Sequence, residues 1–228
     1  LRGLVAFQRA QHHDAIGFFQ RSIQIYPFNS TLFCDLGKAY FALGAISEAF
    51  QNFGLAVMWD ANFGRGYAEA GFGHLKLGNF AQALLQMKRA VELEPSNRDY
   101  LNVLGEVFKK LGDFDKARHC YRQVLDLEPN NALAHVSIGA TFADQGEATR
   151  ALESMERAMC LDPLNSYVYN AYLYSLLFVT DDRARLFREH VRVIGILQRA
   201  NPRRTSPLVV RRKGKPRIGY LSPSMCED

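Results

Sequence analysis

Cysteine is scarce in this chain, and what there is stands apart. Cys34, Cys120, Cys160 and Cys226 make no CxxC pair, and no histidine lies at a metal-ligand spacing from them. Neither a zinc site nor a disulfide framework is encoded, which points to a reducing, intracellular compartment, the cytoplasm or the nucleus. Long apolar runs are missing too: none approaches the ~20 residues that a membrane span requires, so no membrane partner is expected. No secretory leader opens the chain, which begins at Leu1 inside a repeating unit and reads as an excerpt from a longer protein. Net charge is almost absent from the body. The 228 residues carry 28 basic and 23 acidic side chains, but seven of the basic and two of the acidic ones fall from Arg203 onward, leaving 21 of each before it. The positive balance belongs to the tail, and the body offers no nucleic-acid face.

What is present is periodic. The stretches "YPFN", "EPSN", "EPNN" and "DPLN" place Pro27, Pro95, Pro129 and Pro163 at gaps of 68, 34 and 34 residues, so the first gap is two periods of the second. The period divides the chain into units at 30–63, 64–97, 98–131 and 132–165, after a partial unit that ends at Asn29. Position eight is Gly37, Gly71, Gly105 and Gly139, with Gly3 before them; position twenty is Ala49, Ala83, Ala117 and Ala151, with Ala15 before them. Side chains this small, one on each of two antiparallel helices, let those helices approach closely. Position fifteen is Gly44, Gly78, Gly112 and Gly146, where the first helix of a pair needs a left-handed final residue. Position twenty-four is Phe19, Phe53, Met87, Tyr121 and Met155. Proline at position thirty-two ends the second helix, and Asn130 or Asn165 suits the turn that follows.

These slots in register resemble the tetratricopeptide repeat. The resemblance implies an all-α fold, an α-solenoid in which helix pairs stack into a right-handed superhelix with a concave groove. Two departures modify it. Ala61 stands where proline is expected and should loosen that helix stop. In the stretch from Ser166, positions eight, fifteen and twenty are Leu173, Thr180 and Arg185, so the regular array is expected to end near residue 165.

Other motifs dissolve into the repeat. The glycines of "GRGYAEAG" at Gly64 sit at repeat positions one, three and eight with no strand before them, which removes a phosphate-loop reading. His12 and His13 fall at an inter-helix turn, and the sequon "NST" at Asn29 is a loop by position. First-helix positions two, five, six, nine, twelve and thirteen should face the groove. They supply the peptide-binding candidates Asp35, Lys38, Arg65, Glu69, Lys76, Asn102, Glu106, Lys109, Lys110 and Asp144, with Asp99 beside them. Mixed charge here is either a solvated face or a groove for an extended peptide client. Chaperone-binding repeats clamp a terminal carboxylate with a recurring Lys and Asn set. No unit here repeats that set.

After residue 165 the pattern changes. Residues 166–200 read as two helices forming a cap, the second begun by Asp181 and Asp182. Residues 201–216 form a basic linker, and "RIGYLSPS" within 217–228 reads as one short strand. A lone strand leaves its backbone groups unpaired, so residues after about 200 are expected to be mobile in this chain. Repeats followed by an "LFREH" segment, a basic linker and "RIGYLSP" resemble the junction between repeats and catalytic region in the O-linked N-acetylglucosamine transferase family, including its SPINDLY branch. That resemblance covers about 166–223. It implies a repeat arm that delivers protein substrates to a glycosyltransferase acting on Ser and Thr. The donor would be UDP-linked N-acetylglucosamine or GDP-linked fucose, bound beyond this chain. The chain itself would then hold no catalytic residue, cofactor or metal. The other reading is a non-catalytic scaffold for protein–protein interaction, which self-association through the repeats would also fit.

The repeat register makes a stability prediction. Ala117→Leu should force its helix pair apart at a cost of ~1–3 kcal/mol, whereas Lys110→Ala on the groove should stay within ~0.5 kcal/mol of neutral. Urea midpoints measure both, and equal midpoints would refute the register.

Overall fold

The computed structural model describes residues 2–200, and these form twelve α-helices and no strand. The linker 201–216 and the strand expected in 217–228 lie outside the described residues. The helices pair along the chain: α1 (Arg2–Gln8) with α2 (His12–Ile25), α3 (Ser30–Ala42) with α4 (Ile46–Trp59), and α5 (Gly64–Lys76) with α6 (Phe80–Leu93). Then come α7 (Arg98–Lys110) with α8 (Phe114–Leu127), α9 (Ala132–Asp144) with α10 (Ala148–Leu161), and α11 (Ser166–Leu177) with α12 (Arg183–Ala200). First helices begin at Ser30, Gly64, Arg98, Ala132 and Ser166, a constant step of 34 residues.

The small residues do what the spacing implies, with a sharper partner than expected. A Cβ on Gly37 would stand 2.7 Å from the Phe53 ring and 3.0 Å from the Ala49 carbonyl oxygen. On Gly71 it would meet Met87 Sδ at 2.6 Å, on Gly105 the Tyr121 ring at 2.6 Å, and on Gly139 Met155 Cε at 2.8 Å. The position-eight glycine is therefore the floor on which the position-twenty-four side chain lies. Ala49, Ala83 and Ala117 are fully buried and Ala151 almost so. Ala56, Ala90, Val124 and Ala158, a slot the repeat alignment did not single out, are also fully buried.

Both turns of each unit are built by backbone chemistry. Gly44, Gly78, Gly112 and Gly146 have φ between +77° and +80° and close the first helix. The next residue's N–H then reaches five residues back, as Ala45 does to the Tyr40 carbonyl at 3.0 Å, satisfying a terminal acceptor. The equivalent residue of the partial unit is Ala10, with φ +58° and the same bond from Gln11 to Ala6 at 2.9 Å. The second helix ends in register whether proline follows or not. α4 stops at Trp59 although Ala61 replaces proline, because the Asp60 carboxylate accepts the Asn62 N–H at 2.9 Å and folds the turn itself. Asparagine then starts the next helix. Asn29, Asn97, Asn131 and Asn165 accept backbone N–H groups of the first turn, at 3.1 Å for Leu32 and 3.0 Å for Ala134. In the fourth turn the capping residue is thus Asn131, while Asn130 lies in the turn before it.

Pairing does not stop at residue 165. α11 packs on α10 through Val168, Tyr172 and Leu176. α12 joins more loosely and buries Val193 alone. Successive first helices touch directly, α3 with α5, α5 with α7 and α9 with α11, and no comparable contact joins successive second helices. The array therefore curves toward its first helices, which line the concave side.

Two glycines of one array should respond oppositely to alanine. Gly37→Ala must displace the Phe53 ring against backbone and should cost ~1–3 kcal/mol. Gly54→Ala has open space around its Cβ and should stabilise by ~0.5–1 kcal/mol through helix propensity. Ala10→Gly should relieve the left-handed alanine by ~1 kcal/mol. Thermal melts of the three variants check the signs, and destabilisation by Ala10→Gly would contradict the turn geometry.

Candidate functional site

The concave face divides into two halves of different chemistry. In the first half the charged candidates satisfy one another. Arg65 on α5 donates to the Asp35 carboxylate on α3, Lys38 Nζ lies 2.8 Å from Glu69 Oε1, and Arg65 Nε is 3.9 Å from the same oxygen. Asp35 is only 6% exposed. Four of the ten groove candidates thus form one ion network that bolts α3 to α5. A carboxylate this buried tolerates its desolvation only with a cation held against it. Cys34 sits next to this network, and burial pushes its thiol up to about 12, more than the neighbouring Arg65 opposes. It is a protonated packing residue, not an activated nucleophile.

The remaining candidates scatter. Lys76 reaches over the Phe72 ring at 5.0 Å. Asp99 lies 3.6 Å from Arg98, which also pairs with Glu128 of the same unit. Asn102 and Lys109 are half-buried, and Glu106, Lys110 and Asp144 are exposed. Among the described residues Glu106 and Asp144 make no ion pair.

The second half of the face is aromatic. Tyr167, Tyr174 and Phe178 are 62%, 62% and 63% exposed. They recur at i, i+7 and i+11 along α11, one stripe of its surface. Tyr174 and Phe178 meet edge to face at 4.9 Å. The stripe borders a cleft of about 780 Å³ shared by α9, α11 and α12, with Asp144, Tyr167, Leu173, Tyr174, Ile194 and Leu197 in its wall. The repeat pattern did not disclose it, because Leu173 and Arg185 break the register in the unit that carries the stripe. The signal was available: the rule that positions two, nine and thirteen face the groove selects Tyr167, Tyr174 and Phe178 when carried one unit further.

A second missed residue is structural. Arg118 is buried on α8, donates to Asp115 and Gln145, and lies 3.4 Å from Thr141 Oγ1. Its guanidinium stands 4.6 Å from the centre of the Phe142 ring, and that of Arg150 stands 4.1 Å from it, tying α8 and α10 to α9. Histidines contribute no metal cluster: among the described residues no three His, Cys, Asp or Glu side chains group closely enough to hold an ion. His12 opens α2 beside Phe7, and His74 stacks on Phe50 at 4.2 Å, where burial lowers its pKa. No described helix is long and apolar enough to cross a membrane.

Comparison with known proteins agrees with this geometry. Residues 69–108 match the model described as tetratricopeptide repeat, and residues 105–146 match the one described as TPR repeat. The wheat (Triticum aestivum) Hsp70-Hsp90 organizing protein is 28% identical over 96 residues, 42% of this chain and 16% of that protein. Human RNA polymerase II-associated protein 3 is 26% identical over 106 residues, 46% of this chain and 16% of that one. The chain therefore spans less than a fifth of the length of these curated relatives. Among solved structures, Pseudomonas aeruginosa PilF superposes with a TM-score of 0.68 at 16% identity, covering 88% of this chain and 89% of that one. TTC0263 of Thermus thermophilus, a thermophilic TPR protein, gives 0.63 at 21% identity, covering 77% and 95%. YrrB, described as a TPR protein with an unusual peptide-binding site, gives 0.61 at 22% identity, covering 74% and 87%.

The ion network yields a prediction. Arg65→Ala leaves the buried Asp35 carboxylate without its cation and should cost ~1–3 kcal/mol. Adding Asp35→Asn should recover part of that loss, because a neutral amide is cheaper to bury alone. Urea denaturation of the single and double variants at neutral pH decides it, and a double variant weaker than both singles combined would refute the pairing.

Proposed function

We propose that this chain, an array of tetratricopeptide repeats, is a scaffold that binds other proteins through its concave face. The observation that carries the reading is the exposed aromatic stripe of Tyr167, Tyr174 and Phe178 on that face, set against a wide cleft. Large apolar side chains held in water on a concave surface mark a contact surface. The repeat match and the interaction-adaptor names of the curated relatives support the same reading. Cytoplasm or nucleus is the compartment that goes with it.

A narrower reading makes these repeats the substrate arm of a nucleotide-sugar-dependent protein O-glycosyltransferase. It rests on "RIGYLSP", which lies outside the described residues, and the matched relatives support the broader scaffold reading over it.

Affinity capture with quantitative mass spectrometry tests the scaffold. Wild-type chain, a concave variant Ser137→Arg with Ala140→Arg, and a second-helix variant Arg122→Ala serve as baits. Partners should be lost with the concave variant and kept with Arg122→Ala. Identical captured sets from all three, with circular dichroism unchanged, would overturn the assignment of binding to the concave face.

A further inference from the structure

The last helix pair differs from the others at the contact that holds each pair shut. Leu173 stands where four units have glycine, and Arg185 where they have alanine. A leucine side chain fills the floor on which a position-twenty-four side chain would lie, so α12 cannot seat on α11 as α4 seats on α3. The result is the cleft of about 780 Å³ between them and α9. Its wall is aliphatic on the α12 side, with Val193, Ile194 and Leu197, and aromatic at its mouth, with Tyr167 and Tyr174.

Asp144 is the one carboxylate in the cleft wall, which also holds His190 of α12. Glu106 is exposed at position nine of α7, the slot that Ala140 fills on α9 and Tyr174 on α11, with Lys109 and Lys110 one turn further along. Neither carboxylate makes an ion pair among the described residues, unlike Asp35 and Glu69 in the first half of the face. The arginines of α12 nearest in sequence are occupied: Arg192 pairs with Glu189 at 3.1 Å and Arg188 with Asp182 at 3.9 Å. Exposed ring faces beside two uncompensated carboxylates attract a cation by quadrupole and by charge. They repel an acidic segment.

Resting on the scaffold reading, we infer that this cleft takes an extended segment of a partner protein carrying an arginine or lysine next to an aliphatic residue. The aliphatic side chain enters between α11 and α12, and the cation lies across Tyr167 and Tyr174 toward Asp144 and Glu106. A terminal carboxylate or an acidic motif is the wrong chemistry for it.

Fluorescence anisotropy with the full chain tests this, using a labelled peptide that alternates arginine with leucine and a second in which glutamate replaces arginine. The cationic peptide should bind about tenfold tighter at low salt, with the difference shrinking as salt rises. Tyr174→Ala should weaken it about fivefold, and Asp144→Asn with Glu106→Gln should abolish the preference for arginine while leaving the helical circular dichroism intact. Equal affinity for the two peptides, or indifference to Tyr174→Ala, overturns the inference. Two other occupants would also overturn it: a dimer in sedimentation that Tyr174→Ala dissolves means a second copy, and crosslinks from the cleft to residues 203–217 of the same molecule mean this chain's own tail. Failure here with concave-face capture intact removes only this occupant, whereas capture indifferent to the concave variants removes the scaffold reading itself.

Discussion

The structure depends on one steric constraint, the absence of a Cβ at position eight of each unit. A ring or thioether from position twenty-four lies on bare backbone there, at distances that a single methyl group would violate. That contact sets how closely the helices of a pair approach, and the pair's shape sets the angle at which the next pair can stack. The fully buried alanines at position twenty sit at the same junction. Curvature toward the first helices, and so the existence of a concave face, follows from these small residues.

Much of this was legible in the sequence because it is local and periodic. Glycine at position fifteen announces a left-handed turn residue, and all four adopt it. Ala61 shows how far such reading extends: proline stops a helix, but its absence does not continue one, since the Asp60 side chain folds the turn instead. The charge network was not legible. Asp35 and Arg65 are 30 residues apart, and their pair forms only because stacking brings a residue of one unit over the next. A sequence shows that both charges are present at groove positions. It does not show that they neutralise each other, nor that Arg118 is buried against α9.

The two halves of the concave face consequently divide their labour. From α3 to α5 the charges are spent on holding neighbouring helices together, which leaves little free electrostatic field for a ligand. From α7 onward Glu106 and Asp144 make no ion pair among the described residues, while the neighbouring positions turn to alanine, serine and then tyrosine and phenylalanine. Recognition chemistry therefore accumulates toward α11. The ten charged and polar candidates chosen by position alone were a mixture of girders and contacts, separable only by knowing which had partners.

The cleft coexists with an ordered array for a physical reason. In a stacked array each pair is stabilised by its own packing and by its interfaces with both neighbours, so loosening an internal pair weakens two interfaces at once. Leucine at position eight inside the array would separate a pair and disturb the units on either side. At α11–α12 the same replacement leaves the interface with the preceding pair intact, since α11 still holds α10 through Val168, Tyr172 and Leu176. α12, tied in by Val193 and by the Tyr172 hydroxyl donating to Glu189 at 2.9 Å, is left free to stand off and expose the cleft wall. Loose packing within that pair therefore coexists with an intact array among the described residues.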